Sequence, residues 1–581
     1  MSKWLKYVKP YWHFFVLGPL CMILEVVGEV LMPRFLAQVI DGAQSDLGVS
    51  ITSMIMMILT ALLMMAGGIG GAYFGAKAAI NFASDLRKDV FSQIQTFSFA
   101  NIDKFRTGSL VTRLTNDVTQ LQNFVNMLLR MALRSPGMLI GGLIMAITMQ
   151  PSLSLVFAVT IPMLLITIAI LIGLAFPRFA AMQKRVDGLN ATVQENITNI
   201  RVVKSFVRED FESEKFAGAN ANLKAAGMHA TKLMIAIMPL MNFFMYSTII
   251  AVVFFGSGIV LDGEMQIGDL SAFVTYVNQI LSSLMMVAML FMNTSRALAS
   301  GKRIGEVLDE RSDISDENSE YPELEVKEGA ISFRNVSFRY YKDTEDPVLD
   351  KIDLEIPARS TVGIIGSTGC GKTTLVSLIP RLYDADEGEV LIDGVNVKDY
   401  SLYNLREGVG MVLQKNVLFS GTVYENLRFG DPDASDEEVK RFAGYAAADK
   451  FVSAFKNGYD SEIEQGGANV SGGQKQRLCI ARALLKRPKV LILDDSTSAV
   501  DTATERQIQY ALSTELKDCT KIIIAQRINS VKDADMIVVM DDGRITDVGR
   551  HEELLECSET YREIYESQAS MASSAIEEVR G

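Results

Sequence analysis

The first half of the chain alternates between long apolar stretches and shorter charged ones. Residues 11–76 contain one Lys or Arg, which is Arg34, and residues 135–176 and 233–295 contain none. A helix that crosses the hydrocarbon of a bilayer needs about 20 consecutive apolar residues. The pattern therefore predicts six membrane-spanning helices, with centres near residues 27, 62, 140, 163, 247 and 282.

The connections between these predicted helices differ sharply in charge. Those near 41–50, 149–152 and 261–269 carry no Lys or Arg. The two long connections are basic: the first carries Lys77, Arg87, Lys88, Lys104, Arg106, Arg113, Arg130 and Arg134, and the second carries nine such residues from 178 to 232. Because Lys and Arg concentrate in cytoplasmic loops, we expect a multi-pass protein of the plasma membrane with both termini in the cytoplasm.

Both long connections have helical periodicity, so the membrane helices are predicted to extend far into the cytoplasm. Each connection has a short break, around Asn101–Thr107 in the first and around Val207–Phe211 in the second. A small helix is expected to turn across the tips of the long helices at each break.

Two acidic residues interrupt the first apolar stretch. Glu25 and Glu29 are four residues apart and therefore share one face of the predicted helix, with Arg34 a little beyond. Ionisable side chains are costly inside a bilayer and commonly mark a functional site. The pair predicts either a polar cavity for a cationic or zwitterionic substrate, or a structural ion pair near the outer leaflet.

The chain changes character after about residue 301, where charged and apolar residues mix as in a soluble domain. The formal net charge is -13, and the excess of Asp and Glu over Lys and Arg lies in this second half. Since nucleic-acid binding needs Lys and Arg surfaces for the phosphate backbone, we expect no nucleic-acid partner. The five cysteines have neither a CxxC pair nor a regular spacing, so no disulfide framework or zinc site is predicted.

A glycine-rich loop between a buried strand and a helix predicts a nucleotide-binding domain. The segment "TVGIIGSTGCGKTTLVSLI" fits the pattern G-x-x-x-x-G-K-T. In this context the loop N–H groups hold phosphates, the lysine reaches the terminal ones and the threonine hydroxyl binds Mg²⁺. The predicted ATP-contacting residues of the loop are Gly366, Ser367, Thr368, Gly369, Cys370, Gly371, Lys372, Thr373 and Thr374. Asp494, which ends the strand "KVLILD", is the expected magnesium carboxylate.

A second phosphate clamp is predicted about twenty residues before Asp494. Its tetrad is Ser471, Gly472, Gly473 and Gln474. The tetrad opens a helix, so it presents N–H groups and a hydroxyl at a positive helix end. One domain cannot easily close both clamps on a single nucleotide. The pattern therefore favours two domains arranged head to tail, with each clamp closing over the ATP of the other.

These motifs together resemble the ATP-binding cassette (ABC) exporter family, in which a half-transporter has six membrane helices followed by one cassette. The resemblance covers nearly the whole chain. It implies a six-helix all-α transmembrane domain, an α/β P-loop NTPase cassette, and ATP and Mg²⁺ as its ligands. The expected domains are a transmembrane domain over 1–310, a linker over 311–328, a cassette over 329–570 and a flexible tail over 571–581.

The resemblance also assigns roles to single residues. Tyr340 in "VSFRYY" would stack on adenine, with Tyr341 as an alternative, and Asp501 in "STSAVD" belongs to the loop that crosses the dimer. Gln414 would touch magnesium and sense the membrane domain. The implied magnesium ligands are Thr373, Gln414 and Asp494.

The expected short helices resemble the coupling helices that pass cassette closure to the membrane domain, and would lie around Ile102–Phe105 and Val207–Phe211. Six membrane helices fused to one cassette are typical of exporters rather than importers. The substrate stays open by this resemblance, because drugs, lipids and peptides are all compatible with it.

Two positions depart from the family pattern. The family normally has a Glu that polarises the attacking water where this chain has Asp495, and a His that contacts the γ-phosphate where it has Gln526. Asp retracts the carboxylate by roughly 1.5 Å, and a misplacement of about 1 Å can cost ~10²-fold in rate. Gln can bind a phosphate but cannot shuttle a proton. The segment "EQGGANV" also departs from the usual Gly-Glu-Arg-Gly, which affects the domain-crossing contact of Glu464 or Gln465.

The departures leave three hypotheses for the function. The intact binding residues favour the degenerate-site subunit of a heterodimeric exporter, paired with a second, catalytically complete ABC half-transporter. The alternatives are a homodimeric exporter with slow ATPase activity, and a nucleotide-sensing regulator that transports nothing, since binding alone can shift a conformational equilibrium.

Overall fold

The computed structural model describes residues 2–45, 47–317, 319–342, 346–496 and 500–568. The tail predicted over 571–581 lies outside the described residues. The chain divides into two compact units. The units are Met1–Gln95 with Gly108–Asp309, and Thr96–Thr107 with Glu310–Gly581.

The chain up to Asp309 is helical over nearly all of its described residues. Its helices are α1 (Ser2–Val8), α2 (Trp12–Ser45), α3 (Leu47–Gln95), α4 (Phe99–Phe105), α5 (Thr107–Thr112), α6 (Val118–Met131), α7 (Arg134–Met149), α8 (Pro151–Thr198), α9 (Ile200–Ser205), α10 (Glu209–Leu261) and α11 (Ile267–Asp309). Six stretches of the described residues are long and apolar enough to cross a membrane: Lys3–Ala43, Gly48–Gln95, Thr107–Met149, Pro151–Thr198, Glu209–Leu261 and Ile267–Val287. The six predicted membrane helices are therefore confirmed.

Glycines on α3 allow α2 and α3 to approach each other closely. A Cβ atom on Gly67 would lie 2.8 Å from the Cys21 carbonyl oxygen, and one on Gly71 would lie 2.8 Å from the Met22 sulfur. Small residues let helix backbones meet where lipid supplies no hydrophobic driving force between helices. The "GGIGG" run therefore determines how the first two membrane helices pack.

One of the two short helices lies where the sequence predicts it, and the other does not. The predicted Ile102–Phe105 helix lies within α4. The second short helix is α9, which precedes the predicted Val207–Phe211, and Val207 itself lies in the turn after α9 with a φ of 52°. The first turn of α10 is acidic from Glu209 onwards, which favours a helix N-terminus there. The start of α10 therefore takes up residues that were predicted for the short helix.

The second unit is an α/β domain. Its strands are β1 (Ile331–Phe338), β2 (Leu349–Ile356), β3 (Thr361–Gly366), β4 (Glu387–Ile392), β5 (Val395–Asn396), β6 (Val409–Val412), β7 (Gly421–Thr422), β8 (Glu462–Ile463), β9 (Val490–Asp494), β10 (Thr520–Ile524), β11 (Met536–Asp541) and β12 (Arg544–Gly549). Its further helices are α12 (Lys372–Ser377), α13 (Leu402–Gly408), α14 (Val423–Arg428), α15 (Asp436–Tyr445), α16 (Asp449–Val452), α17 (Gly472–Leu485), α18 (Thr502–Glu515) and α19 (His551–Cys557), and residues 559–568 are also helical. The predicted order of an all-α domain and then an α/β domain is confirmed.

Two larger sheets build this domain. A six-stranded sheet has the order β12-β11-β3-β10-β9-β6, and a four-stranded sheet has the order β2-β1-β4-β5. In the larger sheet β10 pairs in parallel with both β3 and β9, so that Ile524 lies opposite Ile364 on one side and Asp494 on the other. Because parallel strands end at the same edge of a sheet, the loops after β3, β9 and β10 leave the sheet together.

Strand β9 lies between β10 and β6 and is fully buried. All five of its residues are buried, including Asp494 at its end. A strand covered on both faces of a parallel sheet is expected to be continuously apolar, and "VLIL" is. The carboxylate of Asp494 is therefore held at the end of a rigid, fully packed strand.

The short helix α4 belongs to the second unit. Lys104 and Asn101 on α4 both bind the Glu310 carboxylate, with nitrogen–oxygen distances of 2.8 and 3.0 Å. The Tyr383 hydroxyl donates to the Asp103 carboxylate at 3.2 Å, and the rings of Tyr383 and Phe99 lie 6.0 Å apart. These contacts combine charge, hydrogen bonding and ring packing, and they attach α4 to the cassette side of the chain.

The carboxylate of Asp393 binds the backbone at the start of the cassette. It accepts four backbone N–H groups, those of Lys327, Glu328, Gly329 and Ala330, at 2.7 to 3.0 Å. We expect Asp393→Asn to lower the free energy of unfolding of the cassette by about 2 kcal/mol, because the amide nitrogen leaves backbone donors unpaired. Asn tolerates the left-handed backbone (φ of 53°) of this position, so the loss reports the hydrogen bonds.

Thermal unfolding of the purified chain measures this effect. Asp399→Asn is the matched control, because the described residues make no hydrogen bond to the Asp399 side chain. An Asp393→Asn variant that unfolds at the wild-type temperature would contradict the role of this carboxylate.

Candidate functional site

The glycine-rich loop connects β3 to α12. Gly366 ends β3 with a φ of 155°, and Gly371 precedes α12 with a φ of 95°. A Cβ atom on Gly366 would lie 2.0 Å from the Met540 carbonyl oxygen, and one on Gly371 would lie 2.9 Å from Leu349. Both positions therefore need glycine, for backbone conformation and for space.

The ammonium group of Lys372 lies within the loop. Its Nζ donates to the carbonyl oxygens of Gly366 and Ser367 at 2.9 and 2.7 Å, and it lies 3.5 Å from the sulfur of Cys370, which is buried. The Ser367 hydroxyl donates to Asp541 at 3.1 Å. The loop thus surrounds a positively charged ammonium group, which suits the binding of a negatively charged phosphate. The other predicted loop residues, Thr368 and Gly369, lie in the same turn before α12.

Thr373 and Asp494 come together at the end of β9. The Thr373 hydroxyl donates to Asp494 Oδ2 at 2.9 Å. Burial raises the pKa of Asp494 above its ordinary value; the hydrogen bond from Thr373 opposes this rise and the charge of Asp495 adds to it. A hydroxyl and a desolvated carboxylate at one point are the ligand types that Mg²⁺ prefers.

Gln414 follows β6 on an exposed loop. Because β6 pairs in parallel with β9, with Val412 opposite Leu493, Gln414 leaves the sheet at the same edge as Asp494. Among the described residues none forms a hydrogen bond with the Gln414 side chain.

Tyr340 lies next to the helix that follows the loop. Its hydroxyl shares a hydrogen bond of 3.0 Å with the hydroxyl of Thr374 on α12. Its ring meets that of Tyr383 edge-on at 5.2 Å. Tyr340 is 42% exposed, whereas Tyr341 is 72% exposed. The ring of Tyr340 is therefore held in place near α12 while keeping an open face.

The Ser471–Gln474 tetrad forms the start of α17. The Ser471 hydroxyl accepts from the Gln474 N–H at 3.3 Å, and the Gln474 side-chain oxygen accepts from the Ser471 N–H at 2.9 Å. This reciprocal arrangement is a capping box. A Cβ atom on Gly472 would meet nothing within 4 Å, and Gly473 is half-buried. The first turn of α17 thus presents an open helix N-terminus.

The segment before the tetrad also has a defined structure. The Glu464 N–H donates to the Asn469 side chain at 3.0 Å, and Lys475 on α17 donates to the Gly466 carbonyl oxygen at 2.5 Å. Gln465 begins a short helical turn. The departure from the usual Gly-Glu-Arg-Gly therefore leaves a folded turn tied to α17.

The two positions that depart from the family pattern are hydrogen-bonded to each other. The Gln526 side-chain nitrogen donates to Asp495 Oδ2 at 3.0 Å. Asp495 has a φ of 47°, its N–H donates to the Ile524 carbonyl oxygen at 3.0 Å, and its own carbonyl oxygen accepts from Gln476 at 3.2 Å. Gln476 was not among the predicted site residues; its place two residues after the tetrad was the available signal.

Asp501 caps α18. Its Oδ1 accepts from the Thr504 N–H at 3.0 Å, and its Oδ2 accepts from the Thr504 hydroxyl at 2.7 Å. These hydrogen bonds from Thr504 lower the pKa of Asp501. The carboxylate therefore stays charged at the exposed start of α18.

Glu25 and Glu29 share one guanidinium in the membrane unit. Arg134 lies 3.0 Å from Glu25 Oε1 and 2.9 Å from Glu29 Oε1. The second oxygen of each carboxylate is buried and has no hydrogen-bond partner among the described residues. Arg134, which was predicted to lie in the first long connection, begins α7. The two carboxylates thus form a half-buried ion-paired group, and their described partner is Arg134 rather than Arg34.

Two family models match the chain. One, described as ABC transporter transmembrane region, matches residues 15–284, and the other, described as ABC transporter, matches residues 349–498. YfiB of Bacillus subtilis, named an uncharacterized ABC transporter ATP-binding protein, is 38% identical over 571 residues, which is 98% of each chain. The chain belongs to the ABC transporter family. Rv1273c of Mycobacterium tuberculosis, named in the same way, is 35% identical over 573 residues, again 98% of each chain.

Comparison with a solved structure identifies the type of ABC transporter fold. A bacterial Atm1-family ABC exporter with ATP bound matches with a TM-score of 0.78 and 27% identity, covering 96% of this chain and 98% of that chain. This ABC transporter therefore has the exporter fold. It is a multi-pass membrane protein with a cytoplasmic cassette, and ATP drives its transport.

An ABC cassette binds and hydrolyses ATP, and this loop fits that ligand. The lysine ammonium lies among loop carbonyl oxygens, and the open glycine backbone leaves room for phosphate oxygens. Thr373 and Asp494 are the residues that would hold Mg²⁺, and the ion would neutralise charge on the phosphates. Gln414 is free to turn toward the same edge.

We expect Arg134→Gln to destabilise the membrane unit by about 2 to 3 kcal/mol, because two half-buried carboxylates lose the cation that they share among the described residues. A triple variant, Arg134→Gln with Glu25→Gln and Glu29→Gln, should recover most of this loss. Thermal unfolding in detergent measures both. Arg130→Gln is the control, since Arg130 is exposed and forms no ion pair among the described residues. Equal destabilisation in the single and triple variants would contradict the ion-pair interpretation.

Proposed function

We propose that this chain is one half of a heterodimeric ABC exporter and carries the ATP site that hydrolyses slowly. The observation that supports the proposal is the 3.0 Å hydrogen bond between the Gln526 side chain and the Asp495 carboxylate. By the family resemblance these are the positions of the catalytic Glu and the γ-phosphate His.

The chemistry of this pair argues against fast hydrolysis at the chain's own loop. A general base must reach the proton that it removes. The carboxylate of Asp495 lies roughly 1.5 Å further back than that of a Glu would. A misplacement of about 1 Å can lower a reaction rate by ~10²-fold. One of the Asp495 carboxylate oxygens also accepts a hydrogen bond from the Gln526 side-chain nitrogen. Gln526 can donate to a carboxylate or a phosphate but has no titratable group, so it cannot return a proton.

The parts that would bind ATP and Mg²⁺ are retained. Lys372 lies in the glycine loop, Thr373 contacts Asp494, and Tyr340 keeps an exposed face beside α12. Stable ATP binding without fast turnover is the combination expected of a regulatory site. In the proposed cycle this site holds ATP through several turnovers.

The tetrad Ser471–Gln474 would serve a different ATP. In the head-to-tail dimer that the two clamps favour, the open start of α17 would close over the ATP bound to the partner's loop. The partner would be a second ABC half-transporter with Glu and His at the two departed positions. Asp501, at the start of α18, would lie on the loop that crosses between the cassettes.

The transport cycle follows from this asymmetry. ATP in both composite sites closes the cassettes, and the long helices pass this closure to the membrane unit, which opens outward. Hydrolysis at the partner-based site then loosens one side. The substrate would be a drug-like molecule, lipid or peptide moved from the cytoplasm across the lipid bilayer, in which the chain is anchored.

Two variants separate the heterodimer from a homodimer. In the complex purified from the native host, we expect Lys372→Ala to weaken ATP binding to this chain while most steady-state ATPase activity remains. We expect Ser471→Ala to lower that activity by about 10²-fold, because one preorganised donor over the hydrolysed ATP is lost. Steady-state ATPase assays and photo-crosslinking of a labelled ATP analogue measure the two effects.

A control is needed because Ser471→Ala also removes a helix cap. Ser435→Ala does the same at α15, whose N-terminus has an equivalent capping box with Glu438. Ser435→Ala should leave ATPase activity close to wild type. Equal loss of activity in Lys372→Ala and Ser471→Ala would indicate two equivalent sites and exclude the proposed asymmetry.

The double variant Asp495→Glu with Gln526→His should raise single-turnover hydrolysis at this chain's site by about 10- to 100-fold, because it restores the reach of the base and a titratable partner. The conversion of a photo-crosslinked, labelled ATP analogue bound to this chain measures the rate. The single variant Gln526→Asn, which keeps an amide, is the matched control. A wild-type rate already equal to that of the partner's site would contradict the proposal.

A further inference from the structure

The side chain of Gln568 forms two hydrogen bonds with the loop that carries Gln526. Its Nε2 donates to the Gln526 carbonyl oxygen at 2.8 Å, and its Oε1 accepts from the Ile528 N–H at 3.0 Å. One amide therefore satisfies a backbone acceptor and a backbone donor two residues apart. This geometry resembles the pairing of one strand with another, and it fixes the backbone on both sides of Arg527.

The residues that carry Gln568 are themselves anchored. Residues 559–568 are helical, and Tyr561 in this segment is fully buried. The Tyr561 hydroxyl lies 2.7 Å from His551 Nδ1, and the Ser558 hydroxyl donates to Asp547 on β12 at 2.6 Å. Ile564 packs against the core of the cassette. Gln568 therefore extends from a docked helix and can hold the loop in a fixed place.

The other end of the same loop is attached to α18. Gln509 donates to the Ser530 carbonyl oxygen at 3.2 Å, and the Ser530 hydroxyl donates to Glu505 at 2.6 Å. Both partners lie on the helix that Asp501 caps. The loop from 525 to 530 is thus held at its end by α18, and at its start, where Gln526 lies, by Gln568.

We infer that Gln568 is a positioning residue for hydrolysis, because it sets the backbone from which residue 526 reaches Asp495. The side chain of Gln526 meets Asp495 at 3.0 Å, whereas its carbonyl oxygen is held by Gln568 at 2.8 Å. A shift of this backbone by about 1 Å moves residue 526 relative to the reacting atoms, a displacement that can cost ~10²-fold in rate. The inference rests on the proposed function for the role of residue 526.

The test compares Gln568→Ala in two backgrounds, the wild-type chain and the Asp495→Glu, Gln526→His chain, each in the complex purified from its host. In the repaired chain we expect Gln568→Ala to lower single-turnover hydrolysis at this site by about 10-fold while ATP affinity stays within twofold. We also expect faster hydrogen–deuterium exchange across residues 525–530, since the Ile528 N–H loses its acceptor. A labelled, photo-crosslinkable ATP analogue reports binding and hydrolysis on this chain.

Two further variants show whether the hydrogen bonds are responsible. Gln568→Glu keeps an acceptor for the Ile528 N–H and loses the donor to the Gln526 carbonyl oxygen, so its exchange and rate should lie between wild type and Gln568→Ala. Glu563→Ala, an exposed position on the same helical segment, should change neither. An equal loss in Glu563→Ala and Gln568→Ala would attribute the effect to the segment as a whole and overturn the inference.

The outcomes also separate this inference from the proposed function. Faster exchange with unchanged hydrolysis in both backgrounds overturns the positioning role, as does unchanged exchange. If Gln568→Ala slows the wild-type chain and the repair brings no gain, the positioning role stands and the proposed slow site fails. If the repair raises the rate and Gln568→Ala then lowers it, both are supported.

Discussion

Parallel pairing of β10 with β3 and β9 is the constraint on which the candidate site depends. It brings three loops to one edge: the glycine loop with Lys372, the turn with Asp494 and Asp495, and the loop with Gln526. The hydrogen bonds from Thr373 to Asp494 and from Gln526 to Asp495 exist only because these strands end level with one another. The buried strands therefore set the geometry of polar groups that are 121 residues apart in the chain in the first pair and 31 apart in the second.

The features that the sequence predicts well are those with local causes. The glycine loop, the helix start at Ser471 and the six apolar spans each follow from backbone sterics, helix-end hydrogen bonds or hydrocarbon thickness over a short stretch. Features with long-range causes were not predicted. Arg134 carries no local sign that it pairs with Glu25 and Glu29, which lie more than a hundred residues earlier. The start of α10 depends on which residue begins the helix ahead of the acidic first turn. A pattern of apolar positions carries no information about that choice.

The ion-paired group of Glu25, Glu29 and Arg134 in the membrane unit is governed by the cost of removing charges from water. Removing charges from water costs more than a single ion pair returns unless further hydrogen bonds satisfy them. Here two carboxylates share one guanidinium, and two of their oxygens have no partner among the described residues. Such an arrangement adds little net stability over apolar side chains, and its ion pairs join α2 to the start of α7.

Asp495 and Gln526 make better physical sense as a pair than as two separate losses. A carboxylate that moves back by one methylene leaves a gap which an amide donor at 526 fills with a hydrogen bond of 3.0 Å. Each residue suits the other, so the pair forms a satisfied polar contact at the end of β9 and β10. Under the proposed function, such a contact would leave the site with its binding residues and without a well-placed base, which would account for altered catalytic positions beside an intact glycine loop.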